Sequence, residues 1–197
     1  MNNEINIRAG CRYPCFAPVI LFLLILAWGV PARAGNASLE DMVVSKTRNF
    51  CLVSFRVTGC FTEEMIKAID NGIPATFTFF VGLYRIRPFW RDKEIANLEV
   101  RHSIRYDNLR KTYRVRLSEK ENQVFYTKDF KKARKLMSEI NGLEVAELRD
   151  LKKGSHYQVR MMAKLDKVKL PFYLHYVLFF VSLWDFDTDW YAVNFSY

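Results

Sequence analysis

Chemistry in this chain would have to come from three histidines, four cysteines, an alternating run of aspartates and a set of arginines on two adjoining strands. The histidines do not gather. His102 falls on the apolar side of an alternating segment and reads as a hydrogen-bonded core residue. His156 opens a segment on its polar side, and His175 lies inside the apolar stretch 170–184. No two of them have metal-ligand spacing, and H-E-x-x-H and C-x-x-C are absent. Neither a G-x-S-x-G elbow nor a glycine-rich phosphate loop is present, so acyl transfer and nucleotide chemistry have no support. Asp185, Asp187 and Asp189 alternate as in the first half of a calcium loop. The central glycine and the bidentate glutamate of such a loop are missing, with Ser196 in the twelfth position. These aspartates read as a polar turn. The expectation is a protein without catalytic residues, metal or cofactor.

Cys51 and Cys60 remain once the leading segment with Cys11 and Cys15 is set aside. If residues 50–58 form one extended strand, the two Cα atoms stand roughly 30 Å apart. A disulfide needs about 5.5 Å. Two buried or partly buried thiols are expected.

The arginines are the stronger feature. In 97–106, Leu98, Val100, His102, Ile104 and Tyr106 alternate with Asn97, Glu99, Arg101, Ser103 and Arg105. In 112–118, Tyr113, Val115 and Leu117 alternate with Thr112, Arg114, Arg116 and Ser118. Period two marks half-buried strands, and Asp107-Asn108-Leu109-Arg110 turns one into the other. Pairing Tyr106 with Lys111 puts apolar residues opposite each other throughout. That register sets Arg101 opposite Arg116, Ser103 opposite Arg114 and Arg105 opposite Thr112. Arg101, Arg105, Arg114 and Arg116 then share one outer face, either solvated or binding an anion or partner.

Elements of the same kind must hold this hairpin. Residues 156–166 alternate, 50–58 and 143–148 do so more weakly, and the tail places Tyr191, Val193, Phe195 and Tyr197 on one side. The stretch 76–87 is apolar on both faces and reads as a central or well-covered strand. Thr62 can cap a helix that Asn71-Gly72 ends. Asp129 can cap a second, with Phe130, Ala133, Leu136, Met137 and Ile140 inward and Asn141-Gly142 closing it. About seven strands with two short helices predict a mainly β, sandwich-like single domain over 35–197.

The first 34 residues address location. Arg8 and Arg12 precede the apolar run 16–30, and Pro31-Ala32-Arg33-Ala34 follows it. That order is a secretory signal peptide cleaved after Ala34. The run is shorter than the ~20 residues of a spanning helix, and retention as a membrane anchor is the alternative. Residues 1–34 carry three of the 30 basic and one of the 21 acidic residues, leaving a net +7 for 35–197. Residues 101–135 alone hold twelve Lys and Arg against four acids, so the excess is local. In an exported chain this favours an anionic membrane surface, an envelope polymer or an acidic partner over nucleic acid. Phe172 to Trp184 is the most apolar segment after the leader, and reads as a buried element or as a partner- or lipid-facing patch.

Leu170-Pro171, the hydrophobic segment after it, Ser182-Leu183-Trp184 and Asp189-Trp190 resemble a family of exported bacterial proteins of unknown function. Genes of that family often neighbour a nitrogen-response-type sensor histidine kinase. The resemblance implies an envelope location and a signalling partner, and brings no catalytic residues. A non-enzymatic periplasmic or envelope domain that binds a protein partner is therefore expected. A peripheral binder or carrier of anionic lipid, using the arginine face and the aromatic segment, is the alternative.

Overall fold

Two antiparallel sheets share one hydrophobic core in the computed structural model, which describes residues 37–166 and 187–197. The smaller sheet has the order β1-β2-β7, with β1 Ser38–Lys46, β2 Phe50–Thr58 and β7 Glu139–Glu147. The larger has the order β6-β5-β4-β3-β8-β9. Its strands are β3 Ala75–Arg85, β4 Lys93–Asp107, β5 Thr112–Leu117, β6 Gln123–Thr127, β8 His156–Leu165 and β9 Tyr191–Ser196. Two helices, α1 Glu63–Asp70 and α2 Phe130–Ser138, complete the described chain with two short 3-10 turns. The protein is mainly β and sandwich-like, as its alternating segments predict.

β3 lies between β4 and β8, the central place expected of it, with both of its edges paired. Phe77, Phe79, Val81 and Leu83 point inward with no exposure. Phe79 meets Phe55 of β2 edge to face at 5.8 Å between ring centroids, joining the two sheets. Truncating such a ring to alanine costs about 3–5 kcal/mol. The small sheet lies against β4, β3, β8 and β9, while α2 lies over β4 and β5.

Both helices begin where sequence places them. The Met65 N–H donates to the Thr62 hydroxyl at 3.2 Å, and the Lys131 N–H donates to the Asp129 carboxylate at 2.8 Å. The end of α2 differs. Asn141-Gly142 does not close this helix, which stops at Ser138, and Ile140 belongs to β7. Between the pairs Val53–Leu143 and Phe55–Ile140, β7 carries one extra residue. Gly142 takes φ +66° in this bulge, and its N–H donates to the Ser54 hydroxyl at 2.9 Å.

The β4–β5 hairpin is displaced by two residues from the expected register. Tyr106 pairs with Tyr113 and Asp107 with Thr112, so Lys111 lies in the loop. The Asp107 carboxylate accepts from the Leu109 and Arg110 N–H groups at 2.9 and 3.0 Å, and Lys111 takes φ +53°. This wider turn sets the register. It also brings the Tyr106 and Tyr113 rings to 4.8 Å between centroids. A shift of two keeps every apolar residue inward, so hydrophobic pattern alone could not separate the two arrangements.

β1 and β6 join the seven expected strands. The leading segment 1–34, the apolar segment 172–184, His175 and Asp185 lie outside the described residues.

Candidate binding site on the arginine face

Alternation along β4 and β5 buries His102, Ile104, Val115 and Leu117 and turns the other phase outward. Arg101, Arg105, Arg114 and Arg116 all lie in that outer phase and all are exposed. The observed register places Arg105 directly opposite Arg114 and Ser103 opposite Arg116. Arg101 passes beyond the ladder, where its N–H donates to the Ser118 hydroxyl at 2.8 Å. Its guanidinium Nε donates to Glu99 at 2.8 Å. Arg101 is thus neutralised, while Arg105, Arg114 and Arg116 form no ion pair among the described residues. β6 extends this face by setting the exposed Tyr126 opposite Arg114 and Val124 opposite Arg116.

Three guanidiniums on strands about 4.8 Å apart offer planar, forked donors to carboxylates or phosphates. Asp107, two residues along β4 from Arg105, is already committed. Hydrogen bonds from the Arg110 and Leu109 N–H groups hold Asp107 below the usual carboxylate range, with Arg110 and Arg105 adding to the effect.

A second cationic site, on α2, was not among the expectations drawn from the sequence. Lys131, Arg134 and Lys135 line a cleft of about 560 Å³ with Arg56 and Cys60. Their spacing of three and four, continued by Ser138, was the available signal. Arg56 is ion-paired with Asp41, and Lys135 lies 4.0 Å from Glu139. Burial pushes the Cys60 thiol up to about 12, against a smaller opposing pull from its own backbone and Arg134. Such a shift leaves little thiolate at neutral pH.

A family model described as a domain of unknown function (DUF4390) matches residues 34–194. The chain belongs to this family. No curated protein and no solved structure matches the chain. The DUF4390 match takes in the arginine face, the cleft and every described strand except the last two residues of β9.

Within the DUF4390 fold, His102 occupies the core position its strand phase predicts. It has no exposure, with Nδ1 3.2 Å from the Met137 carbonyl oxygen and Nε2 3.1 Å from Glu119. Burial would raise the Glu119 carboxyl, but the hydrogen bond and charge of His102 outweigh it and hold Glu119 below its ordinary value. His156 is exposed and bonds Ser196 at 2.9 Å. Among the described residues, no three His, Cys, Asp or Glu side chains gather as a metal site. Asp187 is taken up by Lys164 at 3.2 Å. Cys51 and Cys60 are both buried free thiols.

Proposed function

We propose that this chain is an exported, non-enzymatic domain of the cell envelope that binds an acidic protein partner through the arginine face of β4 and β5. One observation supports this most: Arg105 stands opposite Arg114, with Arg116 beside them, and none is ion-paired among the described residues. Like charges directly opposed across strands are destabilising. Carboxylates supplied by a partner offset that cost, and a flat exposed face suits a protein surface better than a small molecule. Support for export comes from Arg8, Arg12, the apolar run 16–30 and the Ala32-Arg33-Ala34 site. The family resemblance suggests the extracytoplasmic part of a membrane sensor as the kind of partner.

The test is capture from a native envelope fraction with the full chain and with Arg105→Thr/Arg114→Thr. The double variant is expected to hold its partner more weakly, with a flatter dependence on salt. Equal capture at every salt concentration would overturn this reading. Anionic lipid on the same face is the second reading, favoured by the exposed Tyr126 beside Arg114. Salt-dependent binding to anionic vesicles, lost in the same double variant, would select it.

A further inference from the structure

The connection between β3 and β4, residues 86–92, carries the two most exposed aromatic side chains among the described residues. Phe89 is 102% exposed and Trp90 is 79% exposed. Arg87 and Arg91 flank them, and both are exposed. The tip is held out on a fixed base. At one end, the Ile86 N–H donates to the His156 carbonyl oxygen at 2.9 Å. At the other, Asp92 accepts from Arg160 at 2.6 Å, whose guanidinium stacks 4.4 Å from the Tyr84 ring. Phe89 takes φ +68°, a region that a bulky side chain rarely enters.

Other loops meet at the same end of the sandwich. The Gly154 N–H donates to the Tyr197 carbonyl oxygen, bringing Lys152 and Lys153 beside the end of β9. The Lys46 ammonium lies 5.3 Å over the Tyr197 ring, so the β1–β2 loop with Arg48 joins them. Glu147 is ion-paired with Arg149, as Asp92 is with Arg160, and the opposing charges besides these are Asp150 and Glu94, which accepts from the Tyr84 hydroxyl at 3.3 Å. The result is a convex aromatic tip within a wide basic surround.

We propose that this end of the sandwich docks on an anionic phospholipid surface. Phe89 and Trp90 enter the interfacial layer, while Arg87, Arg91, Lys152 and Lys153 lie among the headgroup phosphates. A protein partner would need a pocket shaped to two adjoining rings. A bilayer interface accepts them without one, and tryptophan favours that zone because its ring is apolar and its N–H polar. Basic side chains reach from beside the buried rings to the phosphates. This surface is separate from the arginine face, so either can fail without the other.

The probe is a set of vesicles of phosphatidylglycerol with phosphatidylcholine, some carrying brominated acyl chains, mixed with the full chain. Fluorescence assigned to Trp90, as the difference between wild type and Trp90→Phe, should be quenched by the brominated lipid. Phe89→Ala/Trp90→Ala should lower vesicle partitioning about tenfold. Each of Arg87→Gln and Arg91→Gln should lower it about fivefold at low salt and much less at high salt. Residues 1–34 are common to all these chains, and thermal melting of the exposed-loop variants should match wild type. An unquenched Trp90 signal on vesicles that hold the chain would overturn the proposal. So would equal quenching on pure phosphatidylcholine, or loss of a captured envelope protein in the double alanine variant with vesicle binding intact.

Discussion

His102 of β4 and Glu119 of the turn after β5 meet at 3.1 Å beneath the large sheet, where the histidine is fully buried. The other ring nitrogen faces the Met137 carbonyl oxygen of α2, so this pair links sheet, turn and helix. Glu119→Leu leaves one ring nitrogen unpaired and should cost about 1–3 kcal/mol in a denaturant titration. Glu119 titrates below its ordinary 4.5 in the folded chain, so the unfolded chain binds the proton more readily. Its contribution is therefore present above about pH 4.5 and lost as pH falls through the lower folded value. Glu119→Gln should flatten the acid side of the stability profile. An unchanged profile would discount the pair.

Arg105 and Arg114 give a direct check on the hairpin register. Arg114→Thr should raise stability by about 0.2–1 kcal/mol through relief of opposed like charge. Arg101→Thr should bring no such gain, because Arg101 is engaged by Glu99. The reverse ranking of the two variants by denaturant midpoint would restore the register in which Arg101 opposes Arg116.

Tyr113 holds α1 to β5 through its hydroxyl, which donates to Asp70 at 2.6 Å. Tyr113→Phe should cost about 1–2 kcal/mol, since the acceptor is charged and the site half-open. Burial first, and the Asp70 hydrogen bond and charge next, push the phenol above its usual 10.0. Its contribution is complete below pH 10 and disappears as pH rises through the folded value. Melting curves taken along an alkaline series should converge for wild type and Tyr113→Phe.

Cys51 and Cys60 should both label with a maleimide after unfolding without reductant, read by peptide mass mapping. In the folded chain both should react slowly, because burial raises both thiols and little thiolate forms. Labelling that requires prior reduction would contradict the free thiols.

Gly142→Ala should destabilise by about 1–2 kcal/mol through its left-handed backbone alone. No atom lies within 4 Å of where the new methyl would sit, so no clash contributes. A loss above that range on thermal melting would point to a broken bulge instead.

Strands with unbroken alternation were legible in the sequence, whereas bulges hid β1 and displaced the start of β7. Leu98 to Tyr106, Tyr113 to Leu117 and Tyr157 to Leu165 keep period two and were located closely. In β1, the register shifts between Glu40 and Val43, where Asp41 takes φ +52°, and two adjacent residues turn outward. That break hid the strand. The same break at Asn141-Gly142 made Ile140 look like the last turn of α2. β6 is an edge strand of five residues with a half-buried pattern, too short to show a period. For the site, phase gave the shared outer face of the four arginines, because phase survives an even shift. Which arginine opposes which depends on turn geometry, and the Asp107 hydrogen bonds that set it leave no periodic trace. The cleft needed Arg56 and α2 brought together across the chain.

The central position of β3 has a kinetic consequence. One of its edges is closed by β4, which follows it almost at once, but the other waits for β8. Thr78 and Asp166, hydrogen-bonded at 2.7 Å across that second edge, are 88 positions apart. Closing so long a loop before the strand pair rewards it places this fold among slow, non-local folders, on the order of milliseconds to seconds. Until residues 156–165 arrive, Phe77, Phe79 and Val81 stand on a sheet with an open edge. A chain delivered from its N-terminus must therefore hold β3 half-paired until β8 follows, and that interval is when it needs protection from aggregation.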